Sequence, residues 1–273
     1  MNTSIETVTN FVTTRLTECN TFESVTRFGH SGNGLGNATE TLVYGVEENN
    51  LAAADIQHLN LEAKCSDVDT SSLTTIFTND PKINLMIPEE ERAKKRPKGG
   101  MRSLMENFSQ WNSEKGRYMF YYDLKIGKAT NIGENVFTLT RDDDNLWIEA
   151  NGQAVTGWYT DQIMQSVKRK VGGGASAPDG QGSVVIAKGR STLVDVNSNR
   201  HKHQIEEAVV YHGFRASNFL NALDDGTITV SLRAWGEDRG KTSMYIRNHG
   251  TGFRISQNNV SKLFDRQEVA FKL

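Results

Sequence analysis

Apolar residues recur at helical spacing near the start of the chain. Ile5, Val8, Phe11, Val12, Leu16 and Cys19 predict a helix over residues 3–28. "RFGHSGNGLGN" then reads as a glycine-rich loop, and "ATETLVYGV" as a second helix. "HLNLEAKC" and "LTTIFT" predict two strands, and residues 88–102 a basic loop ending in "KGG". "YMFYYDLKI", "VFTLTRD" and "LWIEANG" form a strand series separated by turns. "TDQIMQSVKRKV" has an N-cap signal and helical periodicity. "GGGASAPDGQG" reads as a loop or linker, and "SVVIAKGR" opens a further αβ region. The helix "ASNFLNAL", the turn "DDG", the strand "TITVSLRAW" and a terminal helix "NNVSKLF" complete the pattern. The expectation is a mixed α/β fold without internal repeats.

Composition changes this picture little. The 273 residues suit one large domain or two smaller ones, and two cysteines, Cys19 and Cys65, give no disulfide or zinc framework. No apolar run reaches the length of a membrane span, and "MNTSIETVTNF" lacks a basic, then apolar, leader pattern. A reduced, cytoplasmic protein is the simplest expectation. A formal net charge of −2 does not suggest a general polyanion binder, but the distribution of charge matters more than its sum. Arg92, Lys94, Lys95, Arg96, Lys98 and Arg102 fall within eleven residues, either as a solvated face or as a contact to phosphates.

The strand around Glu62 carries the chemistry. Alternation places Leu61, Ala63 and Cys65 on one face, and Glu62 and Lys64 on the other. Asp55 lies before the strand, where a turn can bring its carboxylate beside Glu62. Two convergent carboxylates make a hard-oxygen site for Mg²⁺, and a neighbouring lysine can orient water and offset growing negative charge. The alternative is a salt-bridged pair on a solvated strand.

The surroundings of this strand bear on that choice. Gly34 and Gly36, Glu40, Leu42 to Gly45, Asn49 and Asn50, then Asp55, Glu62 and Lys64, then Thr75 to Phe77 follow in order. This arrangement resembles the PD-(D/E)XK nucleases, in particular the branch holding MutH and the MvaI/BcnI restriction endonucleases. Alanine stands between Glu62 and Lys64 where leucine is frequent, and the helix from Glu40 to Gly45 is one residue longer than usual. Near the other end, "DDGTITVSLR" followed by "HGTGFR" resembles the recognition segment of the MvaI/BcnI group.

The resemblance implies a type II restriction endonuclease. Residues 1–100, with part of the middle, would form the PD-(D/E)XK catalytic lobe. Residues from about 183 to 273 would form an αβ DNA-recognition lobe, with 101–182 shared between them. Asp55 and Glu62 would bind Mg²⁺, Lys64 would activate water, and Glu40 would support a metal or water. Arg233, Arg247, His249, Thr251 and Arg254 would contact double-stranded DNA, with Lys94, Lys95 and Arg96 on phosphates. Arginine fits this role because it forks onto guanine O6 and N7. The implied target is short and G·C-rich, of CCNGG type, cut by a monomer in sequential nicks and protected by a cognate DNA methyltransferase. A MutH-like repair nickase and a non-cleaving DNA-binding protein are the rival readings.

Other residues have structural readings. His201 and His203 suggest a solvated loop, Asp142 to Asp144 a hairpin tip, and His58 a surface position. Cys65 reads as an inert thiol, Phe253 as core, and Trp111, Trp147, Trp158 and Trp235 as core or partly buried.

Overall fold

The computed structural model describes residues 3–26, 34–46, 53–69, 73–94, 98–237 and 244–273. The chain opens with α1 (Ile5–Glu18), β1 (Thr21–Val25), α2 (Leu35–Ala38) running into a π-turn (Thr39–Val43), and β2 (Leu61–Asp67). Then come β3 (Leu73–Thr78), β4 (Ile83–Asn84), α3 (Glu89–Arg92), α4 (Gly100–Phe108), β5 (Gln110–Asn112) and β6 (Arg117–Leu124). The middle holds β7 (Thr130–Ile132), β8 (Asn135–Arg141), β9 (Asn145–Ala150), β10 (Gln153–Tyr159) and α5 (Thr160–Val171). Two long strands follow, β11 (Gln181–Asp195) and β12 (Arg200–Phe214), then α6 (Ala216–Asp224) and β13 (Thr229–Glu237). The chain closes with β14 (Tyr245–Asn248), β15 (Gly252–Ser256), a 3-10 helix (Gln257–Leu263) and β16 (Phe264–Lys272). The fold is mixed α/β, as expected.

Two compact units interleave along the chain. One comprises residues 1–74, 167–218 and 256–273, the other 75–166 and 219–255. These boundaries differ from the expected segments 1–100 and about 183–273. The long strands β11 and β12 pair with the N-terminal β1 and β2, so residues distant in sequence share the first unit.

The first unit is built on a five-stranded sheet in which β12 pairs with β1, β11 and β16. β2 joins it in parallel to β11, with Glu62 opposite Val184 and Lys64 opposite Ile186. Helix α1 lays Val8, Val12 and Leu16 into a core with Leu61, Val185 and Ile205, all fully buried. Burying each such side chain contributes about 1.5–3 kcal/mol. Ser4 caps the helix by accepting from the Thr7 N–H at 3.2 Å.

The helix ends ten residues earlier than the limit of its predicted range. Cys19 leaves helical geometry, and Thr21–Val25 pair as a strand with Arg200–Gln204. Tertiary pairing here overrides a periodicity that Cys19 had prolonged. The terminal "NNVSKLF" helix is a 3-10 helix and does not close the chain. β16 follows it on the sheet, and its largely exposed polar residues leave no alternation in the sequence to announce it.

The second unit holds a six-stranded sheet, β3-β15-β13-β6-β5 with β14 on β13, and a five-stranded sheet, β4-β10-β9-β8-β7. Phe77 and Phe253 stack at 4.6 Å between centroids, Phe219 leans on both, and the Trp158 indole donates to the Asn79 carbonyl at 2.9 Å. Phe253 and Trp158 are therefore core, as expected. Trp111 is not: it is 57% exposed.

Candidate active site and recognition surface

In the first unit, a tight loop folds Asp55 back onto β2. Ile56 bridges Leu61 through a 2.9 Å hydrogen bond, the segment Gln57–Leu59 makes one 3-10 turn, and Asn60 adopts a left-handed conformation that reverses the chain. Asp55 Oδ2 then accepts the Ala63 N–H at 3.0 Å, which fixes the carboxylate beside Glu62. The turn expected from the sequence is thus present, and it brings the two acids together.

Glu62 is 0% exposed. This rules out a salt bridge on a solvated strand face. The Lys64 ammonium donates to Glu62 Oε1. A second lysine, Lys170 in the last turn of α5, lies 2.9 Å from Glu62 Oε2 and donates to Asp55 Oδ1 at 3.0 Å and the Ala53 carbonyl at 3.1 Å. The Glu62 contact is an ion pair too poorly angled for a directed hydrogen bond. Burial pushes the Glu62 carboxyl up to about 7, against the pull of Lys64 and Lys170. Burial opposes the Lys170 charge, but Glu62 and Asp55 outweigh it and raise its pKa.

Glu40 sits on the π-turn. Burial raises its carboxyl above the ordinary range, the Asp55 charge adds to the rise, and Lys64 and Lys170 oppose it. The i→i+5 bond from the Tyr44 N–H to the Thr39 carbonyl, at 3.2 Å, absorbs an extra residue. Glu40 there stays within electrostatic reach of the pair.

Nothing in the sequence singled out Lys170. "VKRKV" reads as the basic last turn that any helix favours, so proximity to a carboxylate over 100 residues upstream is a tertiary fact. No cluster of three or more His, Cys, Asp or Glu side chains suited to a metal occurs among the described residues. The donor set still fits Mg²⁺. That ion commonly uses one or two protein carboxylates, completing its shell with water and substrate phosphate. Asp55 and Glu62 already converge on one cation, the Lys170 ammonium.

In the second unit, arginines gather on the sheet of β13 and β15. Arg233 Nη2 donates to the Gly250 carbonyl at 3.4 Å, and Arg254 Nη1 to Ser231 Oγ at 3.4 Å. Ser231 in turn donates to Asp123 at 2.5 Å. A Cβ at Gly252 would lie 3.4 Å from both Arg233 Nη2 and Arg254 Cγ, at ordinary van der Waals distance, so both arginines flank this position. Burial, then the Arg254 charge, holds the Arg233 guanidinium below its ordinary pKa. Arg247 and His249 are exposed. Burial lowers the His249 pKa, with Arg247, Arg233 and Arg117 adding to the effect. The His249 ring leans on Tyr121 at 6.2 Å.

One carboxylate shapes this turn. Asp80 Oδ1 accepts the Thr251 N–H at 2.9 Å and its hydroxyl at 3.0 Å, while Oδ2 accepts from Asn248 Nδ2 at 2.7 Å. Gly250 has φ of +79°, which favours glycine. Thr251, expected to contact DNA, is 0% exposed and bound to Asp80, so it holds the turn. Asp80 drew no attention in the sequence because "TNDP" reads as an ordinary turn.

The basic run is less available than expected. Lys94 pairs with Glu91, and Lys98 and Arg102 both pair with Glu106. Lys95 and Arg96 lie outside the described residues, as do Asn49 and Asn50. His203 is no loop residue: it is fully buried on β12 between Ser24 and Ser191, at 2.8 and 2.7 Å. Asp142 does head a hairpin turn, His58 is exposed, and burial pushes the Cys65 thiol up to about 11.

Residues 190–264 match the MvaI/BcnI restriction endonuclease family. Restriction endonuclease MvaI in complex with its cognate DNA substrate has the same fold, with a TM-score of 0.71 at 17% identity over 99% of this chain and 100% of that one. MvaI in the absence of DNA superposes with a TM-score of 0.53, at the same identity and coverage. No curated protein matches the chain. The segment match bears out the resemblance to the MvaI/BcnI group over residues 190–264, and the shared fold extends it to the architecture of the chain.

Proposed function

We propose that the chain is a Mg²⁺-dependent type II restriction endonuclease that hydrolyses double-stranded DNA at a short G·C-rich site of CCNGG type. The observation that carries this reading is Glu62: a fully buried carboxylate sharing one cation with Asp55, beside Lys64. A structural ion pair gains little from such burial, since desolvation offsets the attraction. Asp55 and Glu62 would hold Mg²⁺, which when bound supplies Lewis-acid polarisation of a phosphoryl oxygen and a more acidic water.

The chain's own residues do the rest. Lys64 supplies positive charge where a pentavalent phosphorane-like state gathers negative charge, and its N–H donors orient a water. Glu40, within electrostatic reach of Asp55 and Lys64, would support the metal or its water. In the second unit, Arg233 and Arg254 offer bidentate forks suited to guanine edges, with Arg247 and His249 exposed beside the turn. Lys94 would contribute at most a phosphate contact, with Lys95 and Arg96 as its companions. The reading carries with it a cytoplasmic setting, a monomer, and a DNA methyltransferase protecting the same site.

Plasmid DNA incubated with and without Mg²⁺ tests it. Discrete fragments that require the metal are expected. Nicks directed by hemimethylation would favour a repair nickase, and intact plasmid would leave a DNA-binding protein without cleavage.

A further inference from the structure

Three oxygens converge on the Lys170 ammonium: Glu62 Oε2 at 2.9 Å, Asp55 Oδ1 at 3.0 Å and the Ala53 carbonyl at 3.1 Å. The lysine stem is only 18% exposed and Glu62 not at all, so water does little to screen the attraction. We propose that Lys170 is a resident counter-cation of the acidic pair, and that a divalent ion binds Asp55 and Glu62 together only by displacing its ammonium. The inference rests on the metal reading given above and deepens it.

The geometry argues for exclusion. Ammonium–oxygen contacts span about 3 Å, whereas Mg²⁺ and Ca²⁺ draw oxygens to about 2.0–2.6 Å. One point between two carboxylate oxygens cannot host both ions, and two cations at such range repel strongly in a buried site. Lys170 therefore serves two ends. Without metal it neutralises Glu62, whose buried charge would otherwise destabilise the unit. With metal it leaves the pair as a free cation in the last turn of α5. Lys64 does not compete in this way, because it reaches Glu62 Oε1 and not Asp55.

Calorimetry of the full chain with Ca²⁺, without DNA, is the test. Lys170→Met removes the competing charge and keeps the stem. It is expected to bind Ca²⁺ at least roughly tenfold more tightly than the unaltered protein. Equal or weaker affinity, or no binding by either protein, would overturn the proposal. Asp55→Asn separates the two levels of inference. If it binds Ca²⁺ as well as the unaltered protein, the metal site itself is misassigned. If it loses Ca²⁺ while Lys170→Met gains nothing, the displacement idea alone fails.

A second measurement needs no variant. Reductive methylation followed by peptide mapping reads the exposure of each lysine amine. Lys170 is expected to react several-fold faster in saturating Ca²⁺ than in chelator, with Lys115 as the unchanging reference. An unchanged Lys170 rate would mean that its ammonium stays on the carboxylates when the ion binds.

Discussion

At the scale of single residues, Asp55 and Lys64 part chemistry from binding. On the proposed function, hydrolysis would need a cation held at the acidic pair and a water oriented beside it, whereas affinity for DNA comes mainly from phosphate and base contacts. Asp55→Ala and Lys64→Ala are each expected to slow cleavage by roughly a hundredfold or more. Cognate DNA binding, read by gel shift in Ca²⁺, should stay within a few-fold. Cleavage retained in both variants would remove the active-site assignment. Arg233 and Arg254 belong to the opposite case. Each, replaced by alanine, should lose about 1–3 kcal/mol of discrimination at one base pair, measured on single-substitution target variants. Equal loss on cognate and random duplexes would instead mark them as phosphate clamps.

At the scale of elements, the turn between β14 and β15 hangs on one side chain. Asp80 takes three donors from Asn248 and Thr251, so Asp80→Ala leaves a buried hydroxyl and amide without their acceptor. The cost is about 1–3 kcal/mol of stability, and specificity should relax as His249 and Arg233 lose their fixed relation. Asp80→Asn keeps one acceptor oxygen and should recover part of both in urea melts and cleavage assays. A pH effect belongs to the β1, β11 and β12 sheet. Burial holds the His203 imidazole below its ordinary value of 6.5, with His201 adding to the effect. The unfolded chain thus takes up a proton near pH 6.5 that the folded chain refuses until lower pH. The His203 contribution is complete above 6.5 and lost as pH falls through that value towards the folded pKa. His203→Gln should flatten the pH 7-to-5 slope of stability in urea melts. An unchanged slope would place the sensitivity elsewhere. These two cases also mark what the sequence could tell. Alternation made β2 legible, strand-forming runs set off by turns made β3, β8 and β9 legible, and the turn before β2 followed from Asp55. Asp80, Lys170 and the burial of His203 were not legible, because each depends on strands or helix ends brought together across 100 residues or more. β16 was hidden for another reason: most of its residues face solvent and carry no period.

At the scale of the whole molecule, charge and number of sites decide behaviour. On the proposed function, a chain of net charge −2 would approach DNA through Arg117, Arg233, Arg247 and Arg254, which gather near one another in the second unit. Each chain carries one Asp55–Glu62–Lys64 set and one arginine-bearing turn. On the proposed reading it acts as a monomer, with one active site per bound duplex, and would cut only one strand in each orientation. The second strand requires release and rebinding in the opposite sense on a pseudo-symmetric target. Supercoiled plasmid at limiting protein should therefore pass through an accumulating nicked form before becoming linear. The rate constant for the first cut should not rise with the steep concentration dependence of a dimerising enzyme. Sedimentation without DNA should report a species near the chain mass of 30.4 kDa. Direct conversion from supercoiled to linear, together with a stable dimer in the centrifuge, would falsify this account. Two active sites would then act at once, and each subunit would read half of the target.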